Sequence, residues 1–411
     1  MPRPSVRQAI DQTVREEWGR ILAALTKSLG DIQLAEDCLQ DAIARAIDVW
    51  PEQGLPRSPA AWLITTARRR AIDRFRRDAR WAARVPELSL LMDLENAPTA
   101  YEDSPVIPDK RLEMIFTCCH PALAEKTQIA LTLRTLGGLT TDEIATAFLD
   151  KPDAMAQRLV RAKNKIATAR IPYEIPDASM LPDRIKAVLS VIYLIFNQGY
   201  SNASTDHTHL SDEAIRLARI VGNLMPHDTE VAGLLALMLL HDARRIARQT
   251  EAGEMIPLPL QNRARWDKAK IAEGDMILQK SLPQGALGPY QLQAAISAVH
   301  AGSPSWDATD WPQIAALYDL LYKMQPSAVV RINQAMAVSY ATSVKAALDL
   351  LTLVADDPQV AGYQSYHVAR ADLLERSGNH AGARNSYDAA IALTPQIAER
   401  AFLTGKRNAV S

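Results

Sequence analysis

Between Arg68 and Arg84 the segment RRRAIDRFRRDARWAAR sets eight arginines against two carboxylates, Asp73 and Asp78. A guanidinium beside a phosphate releases condensed counterions, forks onto base edges and stacks on an unstacked base. Such a stripe is built for nucleic acid, although a helix that merely solubilises has the same composition. A second basic pattern runs from Pro152 to Ile166. Met155, Leu159, Ala162 and Ile166 recur on one helix face, and Asp153, Gln157, Arg158, Arg161 and Lys165 project from the other. Gln157 and Arg161 sit one turn apart, as base readers do; Arg158, Lys163 and Lys165 are better placed for phosphates. A third pattern is acidic. In Leu34–Trp50 the residues Leu39, Ile43, Ile47 and Trp50 are expected to face a core, while Asp37, Asp41 and Asp48 share another face. That row is either a solvated surface or the electrostatic partner of a basic helix.

Other residues point away from catalysis. Cys118, Cys119 and His120 are adjacent, and neighbouring side chains on a helix diverge by about 100°, so a packing role before Pro121 is expected and no metal site. His207 and His209 fall in a polar stretch read as a surface loop. No Ser/His/Asp set, carboxylate pair or Gly-rich phosphate loop shares a local context, so no enzymatic activity and no cofactor are expected. Arg244, Arg245 and Arg248, with Arg263, Arg265 and Trp266, admit three readings: solvated surface, a groove for a ligand or peptide, or a face that folds back on the basic helices.

The elements that must carry these residues are helices. Of 411 residues, 48% are apolar and 23% charged, with 17 glycines and long runs of 3.6-residue periodicity, so the fold class is all-α with several cores. A net charge of −1 excludes a uniformly basic nucleic-acid binder and requires local segregation of charge. Three cysteines and no apolar run of spanning length imply a reducing cytoplasm and no membrane partner. PEQGLPRSP (Pro51–Pro59) reads as a loop, with Ser58 and Pro59 opening a helix buried through Trp62, Leu63, Ala67, Ile72 and Phe75. Prolines and carboxylates over 85–110 read as an acidic linker. The segment Gly137–Ile166 then reads as a helix-turn-helix: Gly137 and Gly138 end one helix, Thr140 or Thr141 caps the next, and Pro152 starts the recognition helix. Farther on, a recurrent face-then-proline pattern suggests tetratricopeptide-like hairpins. Its sets are Ala214/Ala218/Val221/Pro226, Ile314/Tyr318/Leu321/Pro326, Ala346/Leu350/Leu353/Pro358 and Ala383/Tyr387/Ala390/Pro395. The expected domains are thus 1–84, the linker 85–110, 111–170, and a helical extension 181–411.

In this order, an acidic helix, a loop, WLITTARRRAIDRFRR, an acidic linker and a helix-turn-helix, the chain resembles the extracytoplasmic-function sigma factors of RNA polymerase. IFTCCHPAL, VLSVIYLIFNQGYS and the tetratricopeptide-like end resemble the subgroup with a long C-terminal extension. The resemblance implies that Asp37, Gln40, Asp41 and Asp48 dock on the clamp coiled coil of the largest polymerase subunit. Trp62, Thr65, Arg68, Arg69, Arg70, Arg74, Arg76 and Arg77 would bind and open the minus-10 promoter element, Arg69 standing where many members have Asn. The helix-turn-helix domain, near the polymerase flap, would read the minus-35 element through Gln157, Arg158, Arg161, Lys163 and Lys165. The extension would regulate or tether these domains through an intramolecular contact or a protein partner. A DNA-binding regulator with a tetratricopeptide sensor that never joins polymerase is the alternative; it needs neither the acidic helix nor the arginine stripe.

Overall fold

Three helices begin the chain: α1 (Val6–Leu29), α2 (Ile32–Gln53) and α3 (Pro59–Arg77). The computed structural model describes residues 6–77, 109–148, 150–201, 208–250, 256–284, 287–394 and 397–410. Arg80, Arg84, His207, Pro395 and the linker up to residue 108 lie outside them. The described residues are 78% helical and include no strand, and the chain divides into two units, Met1–Gly199 and Tyr200–Ser411.

Gly30, at φ 73°, turns α1 into α2, and the Asp31 carboxylate caps α2 by accepting from the Leu34 amide at 2.9 Å. Ala35, Cys38, Leu39, Ala42, Ala46 and Trp50 form the buried stripe of α2. Ile47, expected to face the core, is instead 57% exposed. It stands one residue, about 100°, beyond Ala46, and the small alanines let the neighbouring helices close over that stripe. The loop is also shorter than expected. Pro51 lies inside the last turn of α2, where the helix is ending and the loss of one amide donor is tolerated. Gly54 closes the turn at φ 84° by donating to the Trp50 carbonyl at 2.9 Å. α3 then starts at Pro59, as its sequence indicates, and buries Ala61, Leu63, Ile64, Ala67 and Ala71. Trp62, Ile72 and Phe75 are only half-buried, Trp62 meeting Trp50 edge-on with ring centres 5.4 Å apart.

The same unit continues with α4 (Arg111–Cys118), α5 (Glu125–Thr135), α6 (Thr141–Ala147), α7 (Pro152–Thr168) and α8 (Leu181–Ser201), the last two residues of α8, Tyr200 and Ser201, belonging to the second unit. α1 packs on α4 and α5 as well as on α2 and α3, so the first and second helical groups share one core. Gly19 permits the approach: a Cβ there would stand 2.7 Å from the Leu136 carbonyl oxygen. Trp18 Nε1 donates to the Arg134 carbonyl at 3.1 Å beside it.

The second unit holds α9 (Thr208–Leu224), α10 (Thr229–Asp242), α11 (Lys268–Ser281), α12 (Pro289–Gly302), α13 (Trp311–Met324), α14 (Ala328–Ala341), α15 (Val344–Thr352), α16 (Pro358–Ala361), α17 (Gln364–Arg376), α18 (His380–Leu393) and α19 (Ile397–Ala409). α10 is apolar nearly all round, and α9, α11 and α12 enclose it. Its Glu230 accepts from the amides of Tyr290 and Gln291, at 3.1 Å each, and so caps α12.

From α12 onward, successive helices share three local cores. One is centred on Leu292, Ile314 and Leu321, one on Ile332, Ala347, Leu351 and Leu373, and one on Ala371, Ala383 and Tyr387. Three of the four recurrent sets occupy buried helix faces, Tyr318 being half-buried, but the third is out of register by one residue. Ala347, Leu351 and Val354 are buried there, Leu353 is 72% exposed, and Pro358 begins α16 rather than ending α15. The run LLTLV has apolar residues in both registers, so spacing alone could not choose between them.

The crossing of α10 and α12 leaves no room for a side chain at Gly233, whose Cβ would stand 2.6 Å from the Gln291 amide nitrogen. Gly233→Ala is expected to cost about 1–3 kcal/mol in urea unfolding. Gly222→Ala in α9, where the nearest atom would be Val231 Cγ1 at 3.9 Å, is expected to be neutral or to stabilise by about 0.5–1 kcal/mol.

Candidate nucleic-acid interface

The helix-turn-helix is set by local chemistry. α5 stops at Thr135, and Gly138 takes φ 71° against the Trp18 ring. Thr140 and Glu143 then form a reciprocal capping box on α6. α7 begins at Pro152 and buries Met155, Leu159, Ala162 and Ile166, the face its spacing predicts. Its solvent side presents Ala156, Gln157, Val160 and Arg161 around a shallow depression. Arg161 Nε donates to the Gln157 carbonyl at 3.3 Å, and the residue is exposed.

The other cations of α7 are tied to the protein. Arg158 pairs with Asp150 at 2.7 Å, and Lys165 donates to the Ala122 carbonyl. Lys163, expected on the phosphate side, is nearly buried instead. It donates to Gln33 Oε1 at 3.0 Å and to the Glu36 carboxylate of α2. Glu36 is only 3% exposed and is met on its other oxygen by Arg134 of α5. This clasp joins the acidic helix to the helix-turn-helix. Sequence reasoning missed it, yet it left a trace: Glu36 sits beside Ala35 and three residues before Leu39, on the apolar stripe of α2.

On α3, Arg69, Arg70 and Arg74 are exposed, while Arg68, Trp62 and Thr65 are half-buried. Arg76 and Arg77 end the helix. Arg74 pairs with Asp37 at 3.2 Å across to α2; a pair so exposed contributes little. Gln40, Asp41 and Asp48 are exposed on α2 together with Ile47. Acidic side chains around an exposed isoleucine have the makeup of a protein-docking face.

The cysteines pack. Cys118 Sγ lies 3.2 Å from Thr135 Oγ1 and Cys119 Sγ 3.7 Å from Thr132 Oγ1, both buried. Burial raises the Cys118 thiol, pushes Cys119 up to about 12 and Cys38 up to about 11. His120 Nδ1 accepts from the Ala122 amide at 3.1 Å, and burial lowers its pKa.

An arginine-bearing helix followed by a helix-turn-helix has the makeup of a DNA-binding protein, and comparison with known proteins is more specific. Residues 14–81 match Sigma-70 region 2 and residues 113–166 match Sigma-70, region 4; residues 184–282 match a Family of unknown function (DUF6596). An uncharacterized protein of Rhizobium meliloti (strain 1021) is 41% identical over 399 residues, covering 96% of this chain and 94% of its own. No solved structure matches. The chain belongs to the sigma factors of extracytoplasmic-function type that carry a long C-terminal extension. Its role lies in transcription initiation, its sigma-70 domains imply binding to core RNA polymerase and promoter DNA, and sigma-factor families are not enzymes. Among the described residues no helix is long and apolar enough to cross a membrane.

Glu36→Ala strands two cations in a buried place and is expected to cost about 3–5 kcal/mol of stability, read by urea unfolding. In native protein at pH 8, Cys38, Cys118 and Cys119 are expected to resist an aromatic disulfide reagent and to react on denaturation; a burst of native-state reaction would contradict their burial.

Proposed function

We propose that the acidic face of α2, through Asp37, Gln40, Asp41, Asp48 and the exposed Ile47, docks on the clamp coiled coil of the largest polymerase subunit. α3 then binds and opens the minus-10 element through Trp62, Thr65 and Arg68, Arg69, Arg70, Arg74, Arg76 and Arg77. α7 reads the minus-35 element, with Gln157 and Arg161 at base edges and Arg158, Lys163 and Lys165 at phosphates, its domain held near the flap. The observation that supports this reading is that Gln157 and Arg161 stand on the solvent side of α7, while Arg158, Lys163 and Lys165 are bonded within the protein. The extension, residues 181–411, acts as a tetratricopeptide-like domain that regulates or tethers the DNA-binding domains through an intramolecular contact or a protein partner. Its groove of about 530 Å³ supports that role, being lined by Trp306, Trp311 and Tyr340 together with Asp372 and Glu399.

Geometry adds a requirement. The two promoter elements lie roughly 25 base pairs apart, about 85 Å at about 3.4 Å per base pair. α2 and α7 touch through Glu36 and Lys163. Reading both elements at once therefore requires the clasp to open, which frees Lys163 for a phosphate.

Run-off transcription with purified core polymerase tests the proposal: this chain must make core initiate at a cognate promoter, and DNA binding without initiation would defeat it. Arg161→Ala is expected to cost about 1–3 kcal/mol of discrimination at one minus-35 base pair. Truncation after residue 180 is expected to change promoter output; unchanged transcription and polymerase binding would remove the regulatory role of the extension.

A further inference from the structure

The sequence LLHDARRIAR places three arginines at and beyond the end of α10, and they meet different surroundings. Arg245 forks onto Asp212 and Asp242, and Lys270 also donates to Asp242. Those charges are neutralised. Arg244 and Arg248 instead meet Tyr200: Arg244 Nη2 lies 3.4 Å from its hydroxyl, and the Arg248 guanidinium lies 3.6 Å from its ring centre. Arg248 Nη1 also donates to the Tyr200 carbonyl at 2.7 Å.

Arg263 approaches from the segment before α11. Its Nη1 donates to the carbonyls of His300 and Ser303, and the guanidinium lies over the Trp266 ring at 4.7 Å. His241 stacks on Tyr200 with ring centres 5.6 Å apart and shares a hydrogen bond of 3.0 Å with Ser297 Oγ. Arg244 is the electrostatic centre of the group. Its charge acts on Arg248, Arg263, His241 and His300, lowering the pKa of each alongside burial.

Among the described residues no carboxylate pairs with Arg244, Arg248 or Arg263. Carbonyls and ring faces satisfy single N–H groups but supply no formal negative charge. Three guanidinium charges thus converge in partly buried surroundings, where repulsion is screened less than in water. Two polar atoms in the same group, Arg263 Nη2 and His300 Nδ1, are buried without a hydrogen-bond partner. An unmet guanidinium donor and uncompensated positive charge in one place are what an oxyanion removes, since its oxygens accept from guanidinium forks and its charge cancels the repulsion.

We propose that Arg244, Arg248 and Arg263, with Tyr200 and His300 beside them, form a binding site for a small oxyanion of the phosphate class. Tyr200, Arg244, Arg248 and Arg263 all fall within residues 184–282, so the site gives the segment of unknown function a chemistry. His300, pushed down to about 4 by burial and by Arg244 and Arg263, is neutral at pH 7 and offers one ring nitrogen without adding charge. The inference is independent of the transcriptional reading above.

Calorimetric titration of the full chain with inorganic phosphate, at ionic strength held constant with sodium chloride, tests the site together with thermal unfolding. Saturable binding and a melting temperature that rises with phosphate are expected. Arg244→Gln and Arg248→Gln should each lose at least tenfold in phosphate affinity, whereas Arg265→Gln, at an exposed arginine outside the group, should bind as wild type does. Without phosphate, Arg244→Gln should melt no lower than wild type, because one of three repelling charges is gone. Should it fail to melt cooperatively, Arg248→Lys, which keeps the charge and loses the fork, must show the same loss of affinity. Absence of saturable phosphate binding, or binding equally affected by Arg265→Gln, would overturn the proposal.

Discussion

A carboxylate with almost no access to water has to be met by positive charge, and Glu36 is met twice, by Arg134 and by Lys163. The arrangement of the first unit depends on this pairing. Arg134 also lies against Trp18, and the next residue of α1, Gly19, lets the backbone of Leu136 come close. Charge compensation and close packing therefore act in one place, and region 2 and region 4 are held by the same few residues. Because the desolvation of buried charges offsets most of their attraction, an intact pair of this kind adds little net stability, whereas loss of one partner is costly.

The second unit treats charge differently. At the N-terminus of α12, Glu230 is satisfied by two backbone amides, and Asp242 is satisfied by Arg245 and Lys270. Arg244, one residue before Arg245, has no such partner among the described residues. Neighbouring arginines in one short segment thus serve opposite ends: one fastens helices together and the other concentrates unspent field.

Helix-level patterns were legible where the side-chain period was unambiguous. The face of α7, the capping box at Thr140 and the start of α3 at Pro59 follow from local rules and occur in the structure. Misreadings arose where two periods competed or where the decisive partner was remote in sequence. Ile47 looked like core because it continues a spacing from Leu39 and Ile43, but the adjacent alanines are what the neighbouring helices cover. Leu353 lost its place to Val354 for the same reason. The Lys163 contact joins residues 127 apart, and nothing in the local pattern of α7 signals it. The arginines after α10 were visible as a cluster, but which of them had acidic partners required the fold.

From α12 to α19 each local core is shared only by helices close together in the chain. Asn333, Met336 and Tyr340 on α14 have Ser365, Val368 and Asp372 as their counterparts on α17, and all six line one groove. The length of that groove is consequently counted in whole hairpins. A lineage could add or remove one here and reshape that surface while leaving the sigma-70 regions earlier in the chain untouched.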